Sequence, residues 1–288
     1  MTLQEKRSCP ICQSPLQPRV ASWSYHCRNC GVWISDFVPE GSSGDDPILE
    51  DKRETGLKSL RQRNFQTILN TLSQYLPLRG KTICDVGCGY GWFLEIAKQR
   101  GMNAIGVEPD REVAVTGIER GLNVQIGYFP DCLDESQRFD AIAFNDSLEH
   151  LPDLDRVLTA CDRLLVSQGK LIINIPNSRG FFFQFGRLFY RLGNRAMWER
   201  LWQKNYPFPH LIYVNESNLE RYLSQYGFKR LHSQSLPTLD LQGLWQRLRM
   251  DRSSPWLSGA IAYVGIVLSY PLLQRLPSDI LLQIYEKR

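Results

Sequence analysis

Three glycines follow a short apolar segment that carries an acid, and this pattern is typical of a turn that holds a ligand. Residues 83–91 read Ile-Cys-Asp-Val-Gly-Cys-Gly-Tyr-Gly. Glycine lets the chain turn sharply and lets a ligand approach the backbone closely. A dinucleotide-binding turn would place its third glycine at position 92, where a tryptophan stands. The alternating glycines therefore favour a tighter turn that holds a mononucleoside.

A second acid lies where a nucleoside-binding βαβ unit would place it. The strand predicted for residues 103–107 ends at Glu108, 23 residues after Asp85. A carboxylate at that strand tip can accept hydrogen bonds from both ribose hydroxyls. The glycine segment alone is also compatible with an ordinary strand-to-helix turn. Buried strands are also predicted at 139–145 and 170–177, where a sheet of this kind would continue. They favour the nucleoside site.

Residues 146–152 read Asp-Ser-Leu-Glu-His-Leu-Pro and follow one of these buried strands directly. His150 therefore lies at the carboxyl edge of the predicted sheet, where ligands bind in such folds. Histidine is the side chain best suited to accept a proton near neutral pH. A helix-start residue that bonds to the backbone is the alternative interpretation of His150.

Four of the eight cysteines form two pairs, each with two residues between its members. Cys9 and Cys12 form the first pair, and Cys27 and Cys30 form the second after 14 intervening residues. Two such pairs direct four thiolates at one tetrahedral ion, so the spacing predicts a structural zinc ribbon. A redox or disulfide pair is the alternative, and the expected cytoplasmic location disfavours it.

The chain is long enough for one α/β core with accessory segments. It has 288 residues, 43% hydrophobic residues and a net charge of +4, which alone does not imply a nucleic-acid partner. The polar start, residues 1–7, shows no apolar secretory segment. We predict a zinc ribbon at 1–38, a linker at 39–50 and a larger domain at 51–288. Insertions are predicted at about 178–209 and 238–278.

The whole pattern resembles the class I S-adenosylmethionine (SAM)-dependent methyltransferases, in particular a ubiquinone-methyltransferase-like bacterial group with an N-terminal zinc ribbon. The resemblance covers residues 9–235. It implies a seven-stranded Rossmann-like sheet of order 3-2-1-4-5-7-6, with the seventh strand antiparallel. It also implies SAM as cofactor and an in-line displacement of its methyl group.

The resemblance assigns roles to single residues. Asp85 would lie near the methionine amino group, and Glu108 would bind the ribose. His210 resembles a histidine that borders the acceptor pocket, so His150 and His210 are the candidate catalytic residues. Many relatives carry an acid that reads the adenine, but residues 127–129 read Gly-Tyr-Phe here, so aromatic stacking is the expectation. The predicted cofactor-binding residues are Asp85, Gly87, Cys88, Gly89, Gly91, Glu108, Phe129, Asn145 and Asp146.

The two insertions bear on the acceptor and on partners. Residues 180–200 interleave aromatic residues with arginines, and residues 256–270 are almost wholly apolar or small. Fifteen helical residues reach only about 22 Å, short of a hydrocarbon core of roughly 30 Å. Pro271 is expected to interrupt this helix. We therefore expect no membrane span. A peripheral contact of 180–200 and 256–273 with the inner face of the membrane, a pocket cover and a homodimer contact remain open.

Three functions are compatible with these patterns. The leading hypothesis is methyl transfer, most plausibly to oxygen or carbon, on a small-molecule or lipid-linked acceptor. An RNA methyltransferase is the alternative, but residues 9–30 contain only two basic residues, which disfavours a nucleic-acid surface. A non-catalytic SAM-binding zinc protein is the third.

Overall fold

The computed structural model describes residues 8–39, 50–249 and 256–288. Most of the predicted linker therefore lies outside the described residues. The strands are β1 (Leu16–Arg19), β2 (Ala21–Cys27), β3 (Trp33–Ser35), β4 (Thr82–Val86), β5 (Asn103–Glu108), β6 (Asn123–Ile126), β7 (Phe139–Asn145), β8 (Leu165–Pro176), β9 (Ile212–Tyr213), β10 (Phe228–Leu236) and β11 (Ile280–Lys287). The α-helices are α1 (Glu50–Leu72), α2 (Trp92–Gln99), α3 (Arg111–Glu119), α4 (Leu154–Leu164), α5 (Phe181–Arg191), α6 (Ala196–Leu201), α7 (Glu216–Ser224), α8 (Leu244–Leu248) and α9 (Trp256–Leu273).

Seven strands form one mixed sheet in the order β10-β11-β8-β7-β4-β5-β6. The pairs among β4, β5, β6, β7 and β8 are parallel, and β11 is antiparallel to both of its neighbours. Parallel neighbours need a crossover connection, which α2, α3 and α4 supply. The predicted class I methyltransferase sheet, with its antiparallel last strand, is confirmed.

Alternate residues of the central strands pack on opposite faces of this sheet. In β7, Ile142 and Phe144 contact the apolar cluster that includes α4 and α7. Ala141 and Ala143 contact the cluster on the other face, which includes α1 and α2. Successive side chains of a strand point to opposite faces of the sheet. A sheet that helices cover on both faces therefore needs apolar residues at successive positions of its central strands.

Residues 217–220 read Ser-Asn-Leu-Glu, from which a capping box is predicted at the start of α7, but the helix begins differently. Ser217 and Glu220 have the spacing of a capping box, but the N-cap is Asn215. Its side chain accepts from the N–H groups of Ser217 and Asn218, at 3.1 and 3.2 Å. The Asn218 side chain accepts in return from the Asn215 N–H at 2.7 Å. An asparagine box thus replaces the expected one, because asparagine oxygens satisfy the same free N–H groups.

Helix α9 is longer than the sequence predicts, since it continues through Pro271 to Leu273. The expected interruption is wrong, because a proline two residues before a helix end removes only one late hydrogen bond. Among the described residues, α9 is the helix that is long and apolar enough to cross a membrane by length and composition.

The cysteine-bearing segment is joined to the larger domain by a shared sheet. Strands β1, β2 and β3 continue into β9 in a four-stranded antiparallel sheet. Trp33 of β3 also packs edge-on against Phe183 and Trp198, with ring centroids 5.6 and 5.7 Å apart. The predicted ribbon is therefore not a free module, since the larger domain supplies its fourth strand and the first insertion contributes aromatic residues to its core.

Candidate active site

Three polar side chains meet at the carboxyl edge of neighbouring strands. Asp85 lies at the end of β4, Glu108 ends β5 and Asn145 ends β7. Parallel pairing of β4 with both neighbours places all three at one edge. All three side chains are buried. The structure thus brings together the residues that the sequence predicts for cofactor binding.

The glycine turn wraps this edge with a backbone that tolerates no larger residue at two positions. Gly87 and Gly91 have φ of 73° and 75°. A Cβ would come within 2.7 Å of Ser147 at Gly87 and within 2.4 Å of Leu122 at Gly91. At Gly89, φ is 53° and no described heavy atom lies within 4 Å of that position. The turn therefore packs tightly at its ends and presents open space at its centre.

Two backbone N–H groups hold the Glu108 carboxylate at the strand tip. Its Oε2 accepts from the Gly89 N–H at 2.8 Å, and its Oε1 accepts from the Asp110 N–H at 3.0 Å. The first bond links the glycine turn to the end of β5. The carboxylate is thereby fixed beside the open centre of the turn.

Asp85 carries a carboxylate in an environment that disfavours its charge. Burial, with a smaller contribution from the nearby Glu108 charge, raises the pKa of Asp85 to about 7, against the opposing effect of a hydrogen bond from Asn145. That bond runs from Asn145 Nδ2 to Asp85 Oδ1 at 2.8 Å. The Asn145 Oδ1 is buried without a hydrogen-bond partner among the described residues. A cationic donor at this edge would satisfy both groups.

Asp146 follows at the same edge and faces two arginines from distant segments. Its Oδ2 lies 3.4 Å from Arg61 Nη2. Burial raises the pKa of Asp146, and the charges of Arg61 and Arg247 oppose that shift. Sequence reasoning missed both arginines. No local motif marks them, because α1 and α8 reach the edge only in the folded chain.

Glu149 is as deeply buried as Asp85, at 1% exposure. Neither of its carboxylate oxygens has a hydrogen-bond partner among the described residues. Burial raises the pKa of Glu149 well above its usual range, and the Asp146 charge adds to the effect. Its Oε1 lies 3.9 Å from His210 Nε2. Glu149 thus forms part of the wall around the histidines.

The two predicted catalytic histidines are neighbours, with ring centroids 4.9 Å apart. His150 Nδ1 lies 3.0 Å from the carbonyl oxygen of Pro209. Because a carbonyl can only accept, Nδ1 carries the proton, and Nε2 of the neutral ring is the basic nitrogen. His150 is half-buried at the end of the 3-10 helix Leu148–His150.

His210 is more deeply enclosed than His150. Its Nδ1 lies 3.0 Å from the Tyr213 hydroxyl, which donates to the Leu201 carbonyl, and its Nε2 lies 2.8 Å from the Gln203 amide nitrogen. Both ring nitrogens are therefore engaged. Burial lowers the pKa of His210 well below its usual value, and His150 lowers it further. The ring is thus neutral and fixed in orientation.

The aromatic residues predicted near the adenine occupy two different environments. Phe129 is buried and packs edge-on against Phe144, with centroids 5.8 Å apart. Tyr128, the other aromatic residue of this segment, is 60% exposed. Stacking of adenine on Phe129 stays a prediction, and the exposed ring beside it is the more accessible aromatic surface.

The four predicted metal-ligating cysteines converge. Their sulfur atoms all lie within 4.8 Å of one another. The Cys9–Cys30 and Cys12–Cys27 sulfur pairs are each 3.4 Å apart. Sulfur atoms around a tetrahedral zinc lie about 3.8 Å apart, so this donor set fits such an ion.

Comparison with known proteins identifies the larger domain. The family described as "Methyltransferase domain" matches residues 57–233, more than half of the chain. A ubiquinone biosynthesis O-methyltransferase from Xylella fastidiosa is 35% identical over 116 residues, which cover 38% of this chain and 47% of that protein. The homologue from Pseudomonas fluorescens (strain Pf0-1) is 30% identical over 132 residues, 43% of this chain and 56% of that protein. The chain thus spans about half the length of these curated relatives.

Solved structures show the same fold at low sequence identity. A putative sarcosine dimethylglycine methyltransferase from Galdieria sulphuraria has a TM-score of 0.54 and 15% identity, over 84% of this chain and 92% of that one. A cyclopropane synthase from Mycobacterium tuberculosis has a TM-score of 0.54 and 17% identity, over 77% of this chain and 83% of that one. The family match, the sheet order and the glycine turn agree with one another. The chain belongs to the methyltransferase domain family, and its larger domain is that of a SAM-dependent methyltransferase.

Proposed function

We propose that this protein transfers a methyl group from SAM to a hydroxyl oxygen of a small-molecule or lipid-linked acceptor. The observation that carries the proposal is the set of buried carboxylates beside the open glycine turn. Asp85 and Glu108 lie at one sheet edge with a raised pKa at Asp85. A ligand that carries an ammonium group, a sulfonium and a ribose matches these groups in charge and in hydrogen bonding.

Different residues at this edge would bind different parts of SAM. Asp85 and the orphaned Asn145 oxygen would accept from the ammonium group. Glu108, held by two backbone N–H groups, would accept from the ribose hydroxyls. The open centre of the turn at Gly89 would admit the nucleoside against the backbone. Bound SAM would supply an activated methyl group, which an acceptor oxygen would take in line with S-adenosylhomocysteine as the leaving group.

Transfer to oxygen also requires that the acceptor hydroxyl lose its proton. His150 is the proposed base, because its Nδ1 is committed to the Pro209 carbonyl and Nε2 is then basic. His210 is proposed as the residue that borders the pocket and fixes its shape, since both of its ring nitrogens are engaged. Oxygen as the acceptor atom agrees with the names of the ubiquinone biosynthesis relatives.

We further propose that Cys9, Cys12, Cys27 and Cys30 hold a structural zinc ion. Four thiolates fill its coordination shell, so the ion would serve the fold rather than the reaction. The ribbon contacts the histidine segment directly. Ser35 Oγ donates to the His210 carbonyl at 2.8 Å, and the Ser35 N–H donates to the Leu211 carbonyl at 3.0 Å. The ribbon would therefore hold the backbone on which His210 stands.

Glu108→Ala tests the ribose contact. We expect S-adenosylhomocysteine to bind about 1–3 kcal/mol more weakly, because two ribose hydroxyls lose a buried partner. Isothermal titration calorimetry measures the difference. Glu119→Ala, which removes an exposed acid from α3, is the matched control and should bind as the native protein does. Equal affinity of the Glu108 variant and the native protein would remove Glu108 from the site.

The raised pKa of Asp85 predicts a pH dependence of binding. The ammonium group requires the carboxylate, so protonation of Asp85 competes with binding as the pH falls through about 7. The affinity for S-adenosylhomocysteine should be constant above about pH 8 and about tenfold weaker near pH 6. Calorimetry across this range measures it. Asp85→Asn should bind weakly with no such dependence, and an unchanged profile in this variant would contradict the assignment.

Transfer of a radiolabelled methyl group from SAM into a lysate of the source cells, followed by phase separation, tests the reaction. We expect label in the organic phase or in small water-soluble molecules. His150→Gln should slow this labelling about 10²- to 10⁴-fold, the usual contribution of a general base, whereas His232→Gln on β10 should not. Label in nucleic acid would contradict the proposed acceptor class. A large loss in His210→Gln with normal labelling by His150→Gln would move the base to His210.

Metal analysis of the native chain tests the ribbon. We expect one zinc ion per chain and its loss in Cys27→Ser, because three thiolates hold the ion poorly. Cys132→Ser, at a half-buried cysteine outside the cluster, should retain the metal. A native chain that is folded, active and free of metal would end the zinc assignment.

A further inference from the structure

Helix α9 displays an apolar surface that no described part of the chain covers. Five of its exposed apolar residues lie three or four positions apart, so they form one stripe along the helix. The stripe consists of Leu257, Ile261, Val264, Leu268 and Leu272. Leu268, the most exposed of them, is 78% accessible. The whole helix contains no charged residue. A helix that is apolar on all sides normally lies in a protein core or in lipid, and α9 is not in the core.

Both ends of α9 are attached to the methyltransferase domain. Near its start, Gly259 is buried, and a Cβ at that position would lie 3.2 Å from the Arg249 side chain. Further along the helix, the Tyr263 ring packs edge-on against Trp245 of α8, with centroids 5.8 Å apart. Just beyond its end, the Pro277 carbonyl accepts from the Phe181 N–H at 2.9 Å. An 18-residue helix is about 27 Å long, so a membrane crossing would separate these ends across a bilayer of similar thickness. The helix therefore lies along the surface of the domain.

The segments around α9 concentrate positive charge. The two insertions, 178–209 and 238–278, contain ten basic and three acidic residues. The rest of the chain contains 24 basic and 27 acidic residues, so it is slightly acidic. Arg191 on α5 and Arg275 after α9 are both exposed. Arg275 lies three positions after Leu272, at the end of the stripe. Apolar residues next to basic ones match the acyl chains and the phosphates of an anionic bilayer surface.

The two insertions form one surface. Asp279, which follows α9, caps α5 by accepting from the N–H groups of Phe182 and Phe183 at 3.0 and 2.8 Å. Arg200 of α6 donates to the Arg247 carbonyl of α8 at 3.4 Å. Leu188 on α5 and Leu192 just after it are further exposed apolar residues of the first insertion. The arginine-rich and apolar insertions therefore meet rather than lie on separate faces.

This surface also lies at the ligand-binding edge of the sheet. The first insertion begins at the carboxyl end of β8, and the second connects the end of β10 to the start of β11. Ile280 at the start of β11 pairs with both Pro176 and Leu236. Since β8 runs parallel to β7, these strand ends share the edge that carries Asn145. A membrane that contacts the insertions would thus face the edge at which the cofactor site lies.

We propose that α9, with the end of α5, docks this protein peripherally on an anionic lipid surface. The stripe would enter the acyl boundary, and the arginines of both insertions would contact lipid phosphates. The proposal does not depend on the identity of the methyl acceptor. It concerns where the enzyme works, so binding to lipid can succeed or fail independently of methyl transfer.

Flotation with lipid vesicles tests the proposal on the full chain. Vesicles of phosphatidylcholine alone are compared with vesicles that contain about 30% phosphatidylglycerol. We expect the native protein to float with the anionic vesicles, and added salt to weaken the binding. Ile261→Asp/Leu268→Asp should reduce the bound fraction about tenfold or more, because two charges would enter the acyl boundary. Both positions are exposed, so the variant should fold normally.

A control variant and a measurement of self-association complete the test, because a second copy of the chain could cover the same stripe. Val38→Asp changes an equally exposed apolar residue outside the insertions and should leave flotation unchanged. Arg191→Glu/Arg275→Glu should lose the preference for anionic vesicles. Analytical ultracentrifugation measures self-association in parallel. A native dimer that Ile261→Asp/Leu268→Asp converts to monomer, with no vesicle binding, would overturn the proposal in favour of a second copy. Failure to bind vesicles without dimerisation, or equal binding to both vesicle types, would also overturn it.

Discussion

Parallel pairing of β4 with β5 and β7 is the constraint on which the site depends. It brings Asp85, Glu108 and Asn145 to one edge, where helices on both faces exclude water from them. Buried carboxylates destabilise a protein unless a positive charge or hydrogen-bond donors compensate them. Backbone N–H groups compensate Glu108, whereas Asp85 responds with a raised pKa. We propose that this edge binds a cationic nucleoside, for which the glycine turn leaves open space.

A second constraint joins the ribbon to the reaction site. Strand β3 pairs with β9, and the residues just before β9 include His210. Trp33 anchors this junction among the aromatic residues of the first insertion. The position of His210, which we propose borders the acceptor pocket, therefore depends on a segment more than 170 residues earlier in the chain. The zinc proposal follows the same logic, since four cysteines order a segment that in turn orders the pocket wall.

The sequence predicts those parts of the structure that local chemistry determines. The glycine turn, the strand-ending acids and the cysteine pairs all have short-range patterns, and the sheet order follows from their resemblance to one family. The burial of Glu149 and the arrival of Arg61 and Arg247 at Asp146 do not have such patterns. They arise from contacts between segments that are remote along the chain. Capping of α7 by Asn215 was missed for a different reason, since two overlapping motifs compete there and packing decides between them.

The apolar and basic insertions are the features that distinguish this domain, since its sheet has the usual methyltransferase strand order. They begin and end at the ligand edge, so they are placed to influence which acceptors reach it. The central claim is nevertheless that this edge binds SAM. A crystal structure with S-adenosylhomocysteine bound tests it most directly. We predict the ribose beside Glu108 and the amino group beside Asp85. A ligand bound elsewhere, with the turn at Gly89 unfilled, would contradict the account.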